Sequence, residues 1–201
     1  MSTENAPPCP LTAVALAGGM GRRMGGEDKG LITLAGRPMI EYVLDALRDQ
    51  VDGLLISANR NRQTYAAYGV PVGADETGDY LGPLAGMASA MRIAPPGLLL
   101  TAPCDSPLVA GDYAARMRRG LEEHDAEIAV ARDNERIQPV FALLRTELRR
   151  DLLDFLDSGE RKIDKWYARH RVVEVEFSGR AEMFLNVNRP EDRAALEAAL
   201  H

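Results

Sequence analysis

The stretch LAGGMGRRMGGEDKG at residues 16–30 decides the fold of this sequence, because it directly follows an apolar run at residues 11–17. That run predicts a buried first strand. The glycines of the stretch lack a Cβ, so its backbone can turn sharply and approach a ligand closely. Arg22, Arg23 and Lys29 add three positive charges to the same loop. Exposed N–H groups and fixed cations after the first strand of an α/β pattern predict a phosphate site rather than a solvated surface loop.

The spacing of this loop differs from that of the two most common phosphate motifs. A dinucleotide fingerprint starting at Gly19 and Gly21 needs a third glycine at position 24, where Met24 stands. A Walker loop needs Gly-Lys-Ser/Thr, whereas Lys29 follows an aspartate and precedes a glycine. The loop therefore belongs to neither motif.

The length and the net charge limit the number of domains and the kinds of ligand. The 201 residues are enough for one well-buried domain and few for two. The formal charge of −6 provides no net positive field, so we expect no non-specific nucleic-acid binding. A polyanionic ligand must then be held by a local basic pocket, for which the glycine-rich loop is the best candidate.

The terminus and the cysteines indicate where the protein works. Residues 1–10 are polar and proline-rich, without the apolar core of a signal peptide, and are expected to form a disordered leader before a single domain at 11–201. Cys9 and Cys104 predict neither a disulfide framework nor a zinc site. No apolar run approaches the ~20 residues of a membrane helix. We therefore expect a cytoplasmic protein without membrane contact.

Apolar patterning along the rest of the chain alternates between strand and helix. The run at 98–102 shows no alternation and predicts a central parallel strand buried on both faces. Together the segments predict one α/β domain with a three-layer, Rossmann-like architecture and a mostly parallel, mixed sheet. Further strands are predicted at 54–56, 70–72, 127–131, 138–144, 171–177 and 184–188, and helices at 38–49, 63–68, 111–123, 147–156, 163–168, from Pro83 and from Pro190.

Polar residues follow four of the predicted strands, namely the glycine-rich loop, residues 57–59, Asp75 and Asp105. Ligands of open α/β sheets bind beyond the carboxyl ends of the strands, so we expect these positions to converge. Asp105 directly follows the buried strand and is predicted to ligate Mg²⁺, which prefers one or two carboxylates together with phosphate oxygens. The alternatives are a helix-capping role for Asp105 and a turn role for Asp75.

Residues 16–25 resemble the signature of the nucleotidyltransferase superfamily, Leu-Ala-Gly-Gly-x-Gly-x-Arg-Met-Gly followed by a lysine. Residues 25–31 are more narrowly similar to the molybdenum cofactor guanylyltransferases, and Pro-Cys-Asp-Ser-Pro at 103–107 resembles the metal motif of that family. Similar segments at 138–143, 159–162 and 186–188 extend the match over nearly the whole chain after residue 10. The resemblance implies a nucleotidyltransferase fold and transfer of GMP from GTP to the terminal phosphate of Mo-molybdopterin, with release of pyrophosphate.

The resemblance also implies roles for individual residues. Arg23 and Lys29 would neutralise charge on the reacting phosphates, and Asp105 would hold the Mg²⁺ cofactor. Asp75 would accept the N1 and N2 protons of guanine. The residues expected to bind GTP are Leu16, Ala17, Gly18, Gly19, Lys29, Ser57, Asn59, Asp75 and Asp105, and those expected to bind molybdopterin are Arg161, Lys162, Asn186 and Asn188.

Several alternatives are open at this point. Ser57 stands where family members often carry an asparagine, which leaves its contact with the nucleotide undecided. Arg161 and Lys162 also fit a solvated turn, and Asn188 also fits a helix cap. The glycine pair Gly18-Gly19 leaves room for a purine, whereas related cytidylyltransferases resemble Leu-Ala-Ala-Gly here.

The same loop could serve other functions, and the resemblance to the family implies the partners. A cytidylyltransferase, a sugar-phosphate nucleotidyltransferase or a non-catalytic carrier of the cofactor are the alternative functions. As partners we expect GTP and Mo-molybdopterin, with transient contacts to proteins that supply molybdopterin and to molybdoenzyme chaperones. The protein is expected to be a monomer.

Overall fold

The fold is given by a computed structural model that describes residues 9–18, 28–75, 82–187 and 190–199. The strands are β1 (Leu11–Leu16), β2 (Thr33–Leu34), β3 (Arg37–Pro38), β4 (Gly53–Ser57), β5 (Val72–Gly73), β6 (Leu98–Pro103), β7 (Ile128–Arg132), β8 (Ile137–Arg145) and β9 (Val172–Glu176). The helices are α1 (Met39–Arg48), α2 (Arg62–Ala66), α3 (Pro83–Ile93), α4 (Tyr113–Glu123), α5 (Arg149–Asp157), α6 (Ile163–Tyr167) and α7 (Pro190–Ala199). Short 3₁₀ helices lie at Lys29–Leu31, Thr146–Leu148 and Ala181–Phe184.

Seven of these strands form one sheet in the order β5-β4-β1-β6-β8-β7-β9, while β2 and β3 make a separate hairpin. β1 pairs in parallel with β4 and β6, and the pairs β4–β5 and β7–β9 are also parallel. β8 runs antiparallel to both β6 and β7. Within the described ranges the sheet is therefore mostly parallel with one reversed strand, and the predicted α/β class with a mixed sheet is confirmed.

Helices cover both faces of the sheet because successive side chains of a strand point to opposite sides. Leu100 of β6 packs into a core that includes α1 and α4, whereas its neighbour Leu99 packs into a core with α3, α5 and α6. The apolar spacing that predicts a helix at 38–49 is realised in α1, which buries Ile40 and Val43 completely. The three predicted layers are present.

The order of connections places a crevice beside β1. The chain runs from β1 to β4 and β5 on one side of β1. Helix α3 then connects β5 to β6, which lies on the other side of β1. A reversal of strand order of this kind opens a crevice at the carboxyl ends of the strands. The described residues that directly follow β1, β4, β5 and β6, at 17–18, 58–59, 74–75 and 104–105, therefore lie at one edge of the sheet.

The strand predicted at 184–188 is wrong. The structure has a 3₁₀ helix at Ala181–Phe184 and no regular structure at 185–187. The Phe184 ring packs edge-on against Phe141, with ring centroids 5.1 Å apart, and Val187 N donates to Asp105 O at 3.1 Å. These contacts hold the segment across the end of the sheet instead of within it.

Two other expectations concern the ends and the environment of the chain. Residues 1–8 of the predicted leader lie outside the described residues, so that prediction is not tested. Among the described helices, none combines the length and apolarity required to span a membrane.

Candidate active site

The carboxyl ends of four parallel strands lie level in the sheet. Leu16 at the end of β1 pairs with Ser57 of β4 on one side and with Pro103 of β6 on the other. Ser57 in turn pairs with Gly73 of β5. Two positions after each of these four paired residues stands a residue predicted for the site. These residues are Gly18, Asn59, Asp75 and Asp105.

A lysine and a carboxylate meet at this edge. Lys29 Nζ donates to Asp105 Oδ2 at 2.7 Å, with side-chain exposures of 22% and 13%. The loop after β6 is held next to β1, because Cys104 N donates to Leu16 O at 3.1 Å. Asp105 does not cap the helix that follows, since α4 begins only at Tyr113. The partial burial strengthens the attraction between the two charges relative to a pair in water.

Asn59 and Asp75 form a second pair through two hydrogen bonds. Asn59 Nδ2 donates to Asp75 Oδ2 at 2.7 Å, and Asp75 N donates to Asn59 Oδ1 at 2.9 Å. Burial raises the pKa of Asp75, and the hydrogen bond from Asn59 opposes that shift. The Asn59 amide therefore orients the carboxylate and stabilises its ionised form.

The turn after β1 lies in front of this pair. Ala17 N donates to Ser57 O at 2.8 Å, which joins the turn to the end of β4. A Cβ added to Gly18 would stand 3.9 Å from Asn59 Nδ2, so the missing Cβ leaves space facing the Asn59 amide.

Ser57 lies beneath the edge rather than in it. Its side chain is 2% exposed and contacts α3, where a Cβ on Gly86 would come within 3.0 Å of both Ser57 Oγ and Leu16 Cδ2. The close approach of α3 to the ends of β1 and β4 thus depends on the glycine at this position. Ala58 is also buried, and the first partly exposed side chain after this strand end is that of Asn59.

The C-terminal segment reaches the loop that carries Asp105. The buried Ser106 Oγ donates to Asn186 Oδ1 at 2.5 Å, and Val187 N donates to Asp105 O. Asn186 therefore lies beside the predicted metal ligand, although 80 residues separate it from Ser106. The sequence analysis assigned Asp105 to GTP and Mg²⁺ and Asn186 to molybdopterin, without relating the positions of the two residues.

Arg161 and Lys162 occupy the turn between α5 and α6. Arg161 Nη1 donates to Leu156 O and to Glu160 O, at 2.5 and 2.6 Å, so part of its guanidinium closes the C-terminal end of α5. Lys162 is exposed directly before α6. The two cations are thus presented on the face of the sheet that α3 also covers.

Sequence reasoning missed a contact next to Lys29. Asp28 accepts hydrogen bonds from Tyr65 Oη at 2.5 Å and from Asn61 Nδ2 at 3.0 Å. The only local signal was the position of Asp28 beside a predicted site residue. Three predicted residues, Gly19, Arg23 and Asn188, lie outside the described residues.

The donor set fits a magnesium ion that is shared with a phosphate. No group of three or more His, Cys, Asp or Glu side chains that could hold a metal is found within the described ranges. Asp105 supplies one carboxylate at the carboxyl edge. Mg²⁺ takes one or two carboxylates together with substrate phosphates rather than an all-protein cage, so a single carboxylate is compatible with this ion.

Comparison with known proteins places the chain in a family. The family described as MobA-like NTP transferase domain matches residues 13–174. The molybdenum cofactor guanylyltransferase of Shewanella pealeana is 51% identical over 190 residues, which are 94% of this chain and 95% of that protein. That of Shewanella loihica is 50% identical over 190 residues, which cover 94% of this chain and 97% of that protein.

The fold of this chain is similar to that of a solved structure. Molybdopterin-guanine dinucleotide biosynthesis protein A from Archaeoglobus fulgidus superposes with a TM-score of 0.78 at 23% identity, covering 94% of this chain and 98% of that one. At 23% identity, the similarity to the Archaeoglobus protein concerns the fold alone. The Shewanella proteins are similar to this chain in sequence as well. The chain belongs to the MobA-like NTP transferases and, among them, to the molybdenum cofactor guanylyltransferase family.

Proposed function

We propose that this protein transfers GMP from GTP to the terminal phosphate of Mo-molybdopterin. A phosphate oxygen of molybdopterin bonds to the α-phosphorus of GTP while the bond to the bridging oxygen breaks and pyrophosphate leaves. The observation that supports this best is the alignment of Gly18, Asn59, Asp75 and Asp105 at one sheet edge. The names of the Shewanella relatives state the same activity for those proteins.

Charge neutralisation is the main catalytic task in this reaction. Negative charge grows on the oxygens of the α-phosphate and on the departing pyrophosphate, and positioned cations stabilise it. Lys29 serves this role from the carboxyl edge, and Arg23 of the same loop serves it too. The acceptor phosphate is already ionised, so its attack needs no general base.

Magnesium is proposed as the cofactor, with Asp105 as its protein ligand. When bound, Mg²⁺ supplies positive charge that polarises the phosphate oxygens. Lys29 Nζ lies 2.7 Å from Asp105 Oδ2. The lysine ammonium and a metal ion on Asp105 would therefore both act on the same phosphates.

Guanine is proposed to bind at the Asn59–Asp75 pair. An ionised Asp75 accepts hydrogen bonds from N1 and N2 of the base, which cytosine does not present in that arrangement. Asn59 holds the carboxylate in place through its two hydrogen bonds. The turn at Leu16, Ala17, Gly18 and Gly19 completes the proposed nucleotide site. The Ala17 N–H itself donates to Ser57 O, which holds this turn to the end of β4.

Molybdopterin is proposed to bind toward the C-terminal half. Arg161 and Lys162 suit its phosphate, and Asn186 and Asn188 suit its polar pterin or the metal shell. Asn186 lies next to the Asp105 loop through Ser106, which favours an acceptor site adjoining the phosphates. We also propose that the monomer meets molybdopterin-supplying proteins and molybdoenzyme chaperones transiently in the cytoplasm.

The reaction is tested by pyrophosphate release from GTP, Mo-molybdopterin and Mg²⁺. Release should require GTP rather than CTP, stop with a chelator and return with added Mg²⁺. Lys29→Ala and Asp105→Ala should each lower kcat by about 10²–10³-fold, because each removes a group acting on transition-state charge. Lys165→Ala is the control, since this exposed lysine of α6 pairs with Glu160, which precedes that helix. The absence of release by the wild-type protein, or equal use of CTP, would contradict the proposal.

A further inference from the structure

The short helix α2 makes a direct connection to the residue that precedes Lys29. Tyr65 is 0% exposed, and its hydroxyl donates to Asp28 Oδ1 at 2.5 Å. Asn61 Nδ2, just before the same helix, donates to Asp28 Oδ2 at 3.0 Å. Both oxygens of the Asp28 carboxylate are thus held by groups of one helical segment.

The residue that follows Lys29 is held against the same tyrosine. A Cβ added to Gly30 would stand 2.5 Å from Tyr65 Oη and 3.3 Å from Cys104 Cβ, so this close approach requires glycine. Leu31 N donates to Asp28 O at 3.0 Å, which closes the 3₁₀ turn around the lysine. Tyr65 is therefore close to both chain neighbours of Lys29, with its hydroxyl bonded to Asp28 and packed against Gly30.

The direction of the central hydrogen bond follows from burial. Removal from water raises the pKa of Tyr65 far above its usual value, and the neighbouring Asp28 carboxylate adds to the shift. The phenol keeps its proton at every working pH and donates it to Asp28. The contact is a charge-assisted hydrogen bond, which is stronger than one between neutral groups.

We propose that Tyr65 and Asp28 are positioning residues that fix the backbone around Lys29 and so hold its ammonium against Asp105. A lysine side chain has several rotatable bonds and loses much entropy when its end is fixed. A cation contributes most to catalysis when it is already oriented before charge develops. The catalytic consequence rests on the proposed guanylyl transfer, whereas the positioning of Lys29 is independent of it.

The positioning is tested first without any substrate. The sequence has two other lysines, Lys162 and Lys165, which serve as internal references for acetylation by a water-soluble acyl ester followed by peptide mass spectrometry. In Tyr65→Phe and in Asp28→Ala, Lys29 should be acetylated several times faster relative to these references. Tyr68→Phe is the matched control, because it removes the hydroxyl of a tyrosine whose ring lies 6.5 Å from that of Tyr65.

The catalytic consequence is tested with a double-mutant cycle on pyrophosphate release. Tyr65→Phe should lower kcat about ten-fold with little change in the KM for GTP, because a misplaced cation weakens transition-state stabilisation. In a Lys29→Ala background the same change should have no further effect on kcat, since both act through one group. Asp28→Asn keeps an acceptor for Tyr65 and should retain most of the activity that Asp28→Ala loses.

The results distinguish this proposal from a purely structural role. An unchanged acetylation rate of Lys29 in both Tyr65→Phe and Asp28→Ala overturns it, whether or not the protein turns over GTP. An equal loss of kcat in the wild-type and Lys29→Ala backgrounds also overturns it. Faster acetylation without any wild-type turnover supports the positioning and rejects the proposed transfer reaction.

Discussion

At the residue scale, Asp75 is a predicted site residue whose environment alters its acid–base chemistry. It is partly withdrawn from water, and this burial raises the pKa of its carboxyl above the ordinary value of an aspartate. A carboxylate with a raised folded-state pKa costs stability at neutral pH, and that cost disappears as the pH falls through the raised pKa. Asn59 offsets part of the cost by donating to the ionised form.

Base recognition should therefore fail on the acid side at a pH set by Asp75. The acid limb of kcat/KM for GTP should lie at a higher pH than the ordinary pKa of an aspartate, and Asn59→Ala should move it higher still because it removes a hydrogen bond that lowers the pKa of Asp75. Asp75→Asn should abolish this limb and raise the KM for GTP roughly 10–100-fold, the loss expected for hydrogen bonds to a charged group. ITP, which lacks the N2 amine, should be affected less.

The pH profile needs a control for unfolding. Each variant should be incubated at the test pH and assayed after return to neutral pH, where full activity shows that the limb is a titration. An acid limb at the same pH in wild type and Asn59→Ala would mean that another group controls it.

At the element scale, the packing of α4 on the edge strand β9 depends on one missing side chain. Gly120 lies inside α4, where glycine is unfavourable by about 1 kcal/mol relative to alanine. A Cβ at this position would stand 2.5 Å from Val175 Cγ2. The helix thus accepts a poor helix former so that β9 can pack close against it.

Gly120→Ala should lower the free energy of unfolding by about 1–3 kcal/mol, because overpacking outweighs the gain in helix propensity. Val175→Ala in the same protein should recover part of the loss by making room for the new Cβ. Urea denaturation measures both. Gly111→Ala is the control, since no atom lies within 4 Å of its added Cβ. Greater stability of Gly120→Ala alone would show that Val175 moves aside at no cost.

At the scale of the whole molecule, Asp151 joins three parts of the C-terminal half. From α5 it accepts hydrogen bonds from Trp166 Nε1 at 2.8 Å and from Arg169 Nη2 at 2.7 Å, and His170 Nε2 lies 3.1 Å away. Trp166 is 0% exposed, and its ring packs edge-on against His170 with centroids 4.9 Å apart. The chain is thus held in place as it leaves α6 for β9.

Asp151→Ala should destabilise the protein by about 1–3 kcal/mol, because it leaves the buried indole N–H of Trp166 without its acceptor. Arg169→Ala removes a half-exposed partner of the same carboxylate and should cost less than about 1 kcal/mol. Tryptophan fluorescence during urea unfolding reports both, since Trp166 is the one tryptophan of the sequence. Similar losses in the two variants would show that the surface ion pair, and not the indole contact, carries the stability.

The sequence by itself determined the features that depend on short-range patterns. The unbroken apolar run at 98–102 predicted the central strand β6, and the periodicity at 38–49 predicted α1, because burial requires spacings that are visible locally. The strand predicted at 184–188 was wrong, because Phe184 packs on Phe141 from a 3₁₀ helix and not from a strand. The glycine-rich loop and the Pro-Cys-Asp-Ser-Pro segment indicated the family.

The tertiary structure alone decided which side chains meet. Lys29 contacts Asp105 across 76 residues, Asn59 contacts Asp75 across 16, and Ser106 contacts Asn186 across 80. The sequence named these residues or their neighbours without pairing them, and it missed Tyr65 as the partner of Asp28. Pairing depends on the parallel register that brings the ends of β1, β4, β5 and β6 to one level, and register is a property of the assembled sheet.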